Sequence, residues 1–452
     1  MNSNRDMFAR PKRVATFLLQ FAIVVAPSAA RGAWITYQGD DSHDGYVSYS
    51  PNPAKFAPLW QANLGGTLNS VAAANGEVFV SQSTYFGTAS LFALNSANGH
   101  TLWSTPFNDV YSVNPPAYAN GTVYIQTGQG TSSPPPYLTA LNAQTGTLDF
   151  QSTFAAQFES YLAPTPYAGN IYVDGGYYGG MYSFNGTNGG QNWFGTVGQY
   201  DGWTPAVDAN YAYVYTGSGS ITPITGQFRM INRTTGATQY LITDPNFQWD
   251  GYTMNSAVVL GPNSDAFAIN EPGTVYPNYG ADGRLIMFDL RADATHTPHI
   301  GWVLTDNYTG EPTLANGVLY VDDGGTLDAL SESTGAFLWA WAPPGNGSIT
   351  GNIIATNTDL FVETASDIFA VDLHTHQTVW ETAGTGSLAL SDEILYASDG
   401  GELLAFSVVP EPSSLILFGI GGLALGGWGA RRRIERKRIR NSAAASFESS
   451  VT

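Results

Sequence analysis

The sequence predicts an all-β fold: an eight-bladed β-propeller closed by an N-terminal strand, flanked by an N-terminal signal peptide and a C-terminal transmembrane sorting helix. Three observations carry this expectation. A hairpin motif recurs eight times, a turn-and-strand motif precedes each copy, and the basic residues crowd into the two ends of the chain.

Composition narrows the class first. The 452 residues include 51 Gly and 25 Pro, with 13% aromatic and 12% charged residues. Such a mixture suits many short strands joined by tight turns rather than helices. There is no cysteine, which excludes a disulfide framework, a thiolate metal site, a Cys nucleophile and a lipidated N-terminal Cys. Between residues 32 and 410 only five basic residues face 32 acidic ones, a net charge near −27. That surface repels nucleic acid and anionic lipid and favours cations, neutral sugars or basic partners.

Residues 1–33 read as a secretory signal. Arg5, Arg10, Lys12 and Arg13 form a basic start, Val14 to Ala26 an apolar run, and Ser28-Ala29-Ala30 the small residues of a cleavage site, with cleavage expected between Ala30 and Ala33. The apolar run is short for a membrane span. At the other end, Pro410-Glu411-Pro412 leads into an uncharged stretch from Ser413 to Ala430, followed at once by Arg431, Arg432 and Arg433. Eighteen uncharged residues lie near the lower limit for crossing a bilayer, and the arginines would hold that end in the cytoplasm. This order resembles the PEP-CTERM sorting tail of Gram-negative bacteria. The resemblance implies recognition by an exosortase-type enzyme, cleavage near Pro-Glu-Pro, and a fate at the cell surface or in the extracellular matrix. A simple C-terminal anchor is the alternative. The expected organisation is therefore a signal over 1–33, a propeller over 34–408, a sorting tail over 409–440 and a disordered end over 441–452.

The body repeats. The segment LFALNSANGHTLW (Leu91 to Trp103) returns as LTALNAQTGTLDF (Leu138 to Phe150), with looser copies starting at Met181, Phe228 and Leu285, clear ones at Leu327 and Ile368, and a truncated one at Leu403. The spacings run from 35 to 57 residues, a propeller period. Each copy reads as a strand, a turn closed by a glycine of positive φ, and a second strand ending in an aromatic residue. Eight turn-and-strand segments, such as Asn75 to Val80 and Asn120 to Ile125, supply the strand before each hairpin. The eighth unit lacks its outer strand, and Pro58-Leu59-Trp60-Gln61 is the expected replacement. A ring closed in this way leaves no open sheet edge.

The hairpin pattern Ala-Leu-Asn/Asp-x-x-Thr-Gly-x-x-x-Trp, together with the opening stretch from Trp34 to Trp60, resembles the PQQ-like repeat family. The resemblance implies that Trp60, Trp103, Trp193, Trp302, Trp339 and Trp380 pack between neighbouring blades. Phe150 and Tyr240 replace the Trp in two blades, and His376 replaces the turn glycine in another, so less regular packing is expected there. Two kinds of relative differ in function. Quinoprotein dehydrogenases bind PQQ and calcium, many holding PQQ against a disulfide of adjacent cysteines. The barrel-assembly lipoprotein is a non-catalytic scaffold anchored by a lipidated Cys. Neither function carries over with the fold, and PQQ is not expected.

The loops entering the innermost strands hold the most informative local pattern. Five successive blades carry acid-x-aromatic there: Asp109/Tyr111, Glu159/Tyr161, Asp201/Trp203, Asp250/Tyr252 and Asp306/Tyr308. Equivalent loops share one rim, so the pattern predicts an arc of carboxylates and aromatic faces. Aromatic faces stack on sugars and carboxylates accept hydroxyl protons, and clustered carboxylates also suit calcium. The competing reading is that the aromatics pad blade interfaces while the acids cap turns. Other signals are weaker. Gly175 to Tyr182, Asp322 to Gly325 and Asp399 to Gly401 read as turns, His296/His299 and His374/His376 lack metal-site spacing, and Trp249-Asp250 does not sit at a repeated strand end. No nucleophile elbow, P-loop, zinc motif or dinucleotide fingerprint is present, so no catalytic residue is assigned. The functional expectation is an exported, non-catalytic binding propeller with polysaccharide as the leading ligand. The alternatives are a divergent quinoprotein or polysaccharide-acting enzyme, and a scaffold for envelope proteins.

Overall fold

The computed structural model describes residues 32–128, 135–156, 162–198, 200, 202–218, 225–248, 254, 257–270 and 283–408. The signal segment, the sorting tail with Pro410, Glu411 and Pro412, and the 441–452 end lie outside these residues. Among the described residues no helix is long and apolar enough to cross a membrane.

The expected eight-bladed propeller forms. Eight antiparallel sheets follow one another along the chain. Blade 1 is built around Glu77–Ser83, Gly87–Asn95 and Thr101–Val110, with Ala72–Ala74 innermost, and blade 2 runs from Ala117–Ala119 to Leu148–Thr153. Blades 3 to 7 start at Thr165–Tyr167, Ala206–Val207, Val259–Gly261, Tyr308–Ala315 and Ile354–Ala355. Blade 8 contains Ser387–Ser391, Ile394–Asp399 and Glu402–Val408, and its fourth strand is Phe56–Asn63. That strand pairs antiparallel from Phe56↔Val408 to Asn63↔Glu402, with a bulge between Pro58 and Trp60. The first strand of the body thus completes the last blade.

The strand patterns follow from position in the ring. Second strands are packed on both faces and read as apolar runs: all six residues of Asp265–Asn270 are buried. Fourth strands lie outside and alternate, as in His299–Asp306.

One local device recurs at the blade interfaces. In the hairpin of blade 2, Asn142 Oδ1 accepts from the N–H groups of Gln144 and Thr145, and Gly146 N donates to Asn142 O. The Asx-type turn then needs a residue of positive φ, and Gly146 has φ +67°. Trp103 of the preceding blade lies over this glycine and donates from Nε1 to Ala143 O at 2.6 Å. The same arrangement puts Trp60 over Gly99 with a bond to Ser96 O, Trp193 over Gly236 with a bond to Arg233 O, and Trp302 near Gly335 with a bond to Glu332 O. Phe150 covers Gly189 without a bond to offer. His376 stands where the turn glycine would be, at φ 58°, and its ring stacks on Trp339 at 4.1 Å and 11°. The expected irregularity is absorbed there by a planar side chain that itself fills the space. Trp380 closes the series by donating to Phe56 O.

Candidate functional site

Strand direction alternates within each blade. Turns joining first to second and third to fourth strands therefore lie on one face, and the remaining loops lie on the other.

The first of these faces is sealed by the segment preceding the closing strand. Trp34 pairs with Ala73 of blade 1, and Ile35 O accepts from Tyr118 N of blade 2. Thr36 Oγ1 donates to Pro164 O just ahead of blade 3. Asp41 O, Ser42 O and Asp44 O accept from Val207 N, Leu260 N and Leu314 N of blades 4, 5 and 6. Val47 N donates to Ala355 O of blade 7, and Ala355 N donates to Gly45 O. Fourteen residues thus visit seven blades in chain order. His43 is fully buried within this plug, its Nε2 3.1 Å from Thr165 Oγ1, and burial pushes its pKa down to about 3, so it stays neutral. Burial first, and then the neighbouring Asp40, lifts Asp44 to about 8 and Asp41 to about 6.

The plug forms the floor of a cavity of about 530 Å³ lined on its other sides by open-face loops. Trp34, Tyr37 and Gln38 lie at its base, and its walls come from blades 1, 2, 3, 6, 7 and 8. The volume falls in the range of small-ligand pockets. The walls combine apolar side chains, among them Leu68, Val113, Leu162 and Ile349, with amides and hydroxyls that hold one another in place. Asn69 Nδ2 donates to Ser81 Oγ and Val113 O, and Ser81 Oγ donates to Asn114 O. Asn352 accepts from Leu388 N and donates to Leu388 O, which fixes its amide orientation. That orientation makes Asn352 Nδ2 the donor to Gln38 Oε1 at 3.0 Å. Glu311, which is buried, accepts from Tyr37 Oη at 3.3 Å and Ala257 N at 2.8 Å. Glu311 and Asp322 are the acidic lining residues, and no lysine or arginine lines the cavity among the described residues. Burial raises the Asp322 pKa, against bonds from Gly325 N and Thr309 Oγ1.

Around the mouth, the acid–aromatic residues take different positions. Asp109 is exposed, in the left-handed region at φ 55°. Tyr111 is half-buried and packs against two rings that the repeat pattern does not single out, Tyr85 and Phe86. Asp306 is exposed and accepts from Asn307 N. Trp203 and Tyr308 are buried, 2% and 6% exposed, and Trp203 Nε1 donates to Tyr200 O. Their ring faces are therefore used in packing, which corrects the expectation of open aromatic faces at those two positions. Glu159, Tyr161, Asp201, Asp250 and Tyr252 lie outside the described residues, as does Trp249. Among the described residues no group of three or more His, Asp or Glu side chains is arranged to hold a metal ion. Sequence reasoning missed Gln38, Glu311 and Asn352 because none belongs to the repeated unit.

A channel plugged at one end, ringed by tryptophan-docked blades and followed by an export tail, defines an exported PQQ-like propeller. The profile of the family described as outer membrane protein assembly factor BamB matches residues 43–199 and 131–382, and the chain belongs to this PQQ-like repeat family. A PEP-CTERM protein-sorting motif matches residues 408–433, which marks the chain for exosortase-type sorting and export to the Gram-negative envelope or surface. No curated protein matches the chain. Among solved structures, BamB from Moraxella catarrhalis is 16% identical, with a TM-score of 0.57 over 78% of this chain and 99% of its own. A europium-containing methanol dehydrogenase is 13% identical, with a TM-score of 0.63 over 83% of this chain and 98% of its own. The quinohemoprotein alcohol dehydrogenase of Comamonas testosteroni is 14% identical, with a TM-score of 0.62 over 85% of this chain and 81% of its own. At these identities the likeness is one of fold.

The quinoprotein likeness would put PQQ, a tricarboxylate, in the central cavity. The described lining does not fit it: Glu311 and Asp322 carry the cofactor's own sign and no basic side chain opposes them.

Proposed function

We propose that this protein is a non-catalytic binding propeller of the Gram-negative cell surface or extracellular matrix, and that it takes a neutral polysaccharide on its open face. The observation that carries this reading is the cavity itself. Its walls mix amides and hydroxyls with apolar side chains such as Leu68, Leu162 and Ile349, its base is closed by the plug, and it lies in a body of strongly negative charge. Neutral hydroxyl-bearing ligands can exchange bonds with such a lining, whereas anionic ones meet like charge. Calcium is the cation that exposed rim acids such as Asp306 would accept if binding is metal-assisted.

Glycan-array binding by the purified protein, with calcium and with chelator, tests this. Binding to neutral glycans is expected, and its dependence on calcium reports whether the rim acids hold a metal. Absence of binding in both buffers refutes the reading. The family's description as an outer membrane assembly factor favours a second reading, a scaffold for envelope proteins. An envelope protein that co-purifies stoichiometrically while glycans fail to bind would establish it.

A further inference from the structure

We infer that the three-ring cluster of Tyr85, Phe86 and Tyr111 is a stacking subsite for a neutral glycan at the lip of the central cavity, which deepens the proposed function and rests on it. Tyr85 and Phe86 occupy the loop between the second and third strands of blade 1, and Tyr111 the loop leaving its fourth strand. Both loops belong to the open face. The rings meet edge to face, with centroids 4.9 Å apart for Tyr85–Phe86, 5.1 Å for Tyr85–Tyr111 and 4.8 Å for Phe86–Tyr111. Mutual packing fixes the rings, yet Tyr85 remains 74% exposed and Phe86 38%. A rigid exposed aromatic presents contact area at low conformational cost.

The backbone is committed to this presentation. Phe86 sits at φ 52° and Asp109 at φ 55°, a region that non-glycine side chains enter at a cost. Phe86 N donates to Tyr111 O at 3.0 Å, which ties the two loops together. The chain leads from the cluster to the cavity: Ser83, two residues before Tyr85, and Ser112, next to Tyr111, are lining residues. Exposed Asn108 and Asp109, at the end of the fourth strand just before Tyr111, offer hydroxyl-bonding groups. Apolar faces beside amides and a carboxylate suit the mixed C–H and hydroxyl surface of a sugar ring. The acidic body argues for an uncharged one. Because the plug closes the cavity below, a chain that stacks on the lip and enters the cavity does so by its end.

The test measures affinity of the full chain, by calorimetry, for neutral hexasaccharides of the glucan, mannan, galactan and chitin types. The variants are Tyr85→Ala and Phe86→Ala, with Tyr178→Ala as control, a ring 80% exposed on the same face in blade 3. The expected result is a loss of roughly tenfold or more in affinity for each lip variant, about 1.4 kcal/mol, with the control unchanged. Because Tyr85 is so exposed, unaltered unfolding of Tyr85→Ala separates lost stacking from lost structure. If the parent protein binds a hexasaccharide and both lip variants bind it equally well, the stacking subsite is overturned while the polysaccharide reading stands. If the parent protein binds none of them, both are overturned. Preference for an acidic hexasaccharide over every neutral one overturns the assignment of an uncharged ligand.

Discussion

Replacing Gly146 and Gly121 by alanine, one at a time, separates two demands that the blade interface makes on glycine. Both residues have positive φ, +67° and +84°. In an L-residue that conformation costs roughly 1–2 kcal/mol, so each variant should lose about that much. The sites differ in what the new methyl group meets. At Gly121 no atom lies within 4 Å of the added Cβ, whereas at Gly146 three ring atoms of Trp103 lie at 2.6–3.0 Å. Trp103 must then lift off the turn. Forced repacking costs roughly 1–3 kcal/mol, and loss of the Nε1 bond to Ala143 adds about 1 kcal/mol. Gly146→Ala is therefore expected to be less stable than Gly121→Ala by about 2–4 kcal/mol. Urea denaturation followed by circular dichroism measures the difference as a shift in midpoint at constant slope. A double variant, Trp103→Ala with Gly146→Ala, should recover the Gly146 steric increment, since the colliding ring is gone. Equal losses in the two single variants would refute the claim that the tryptophan seats on a bare glycine backbone.

Three further expectations follow from buried polar groups and from closure. Arg284 and Asp244 form a bond of 2.6 Å with both side chains almost wholly buried, and Tyr215 Oη donates to the same carboxylate. Arg284→Met or Asp244→Asn alone should cost about 3–5 kcal/mol, and the double replacement should recover much of it in thermal unfolding. Asp265 is lifted to about 7, by burial first and then by the Glu332 carboxylate. Its folded pKa lies above the unfolded value near 4, so stability is fully present below that value and declines as pH rises to about 7. Asp265→Asn should flatten this slope in melts between pH 4 and pH 8. Trp60→Ala removes the cap on Gly99 and its bond to Ser96 O. It should cost about 2 kcal/mol or more and increase self-association in sizing experiments, because blade 8 then frays at a sheet edge.

The fold was legible because most blades repeat one physical solution. Asn, Asp or Ser starts the turn, glycine (or His376 in blade 7) supplies the positive φ, and an aromatic residue from the previous blade covers it. Recurrence makes a weak signal strong. The closing strand was legible for the same reason, since Trp60 carries the repeat's own ending without the hairpin before it. The binding face was less so. Asp109 and Tyr111 were found by position, but position does not report depth: Trp203 and Tyr308 occupy equivalent positions in the pattern and are buried. Tyr85 and Phe86 belong to one loop of one blade, and Gln38 to a segment outside every blade, so periodicity is blind to them. The plug lies in the opening stretch from Trp34 to Trp60 that the family resemblance marks, but its contacts with seven blades arise only when the ring is assembled.

The pairing of Phe56–Asn63 with Glu402–Val408 also sets an order of events. The strand exported first waits for the strand exported last, across nearly the whole length of the body. Until the chain through residue 408 is available, blade 8 lacks a sheet to receive its fourth strand, and its ladders stay open. The sorting motif starts at that same residue. The last strand of the ring and the start of the sorting motif thus share one stretch of chain. Truncation anywhere before this stretch therefore removes the partner of the closing strand and the sorting motif together.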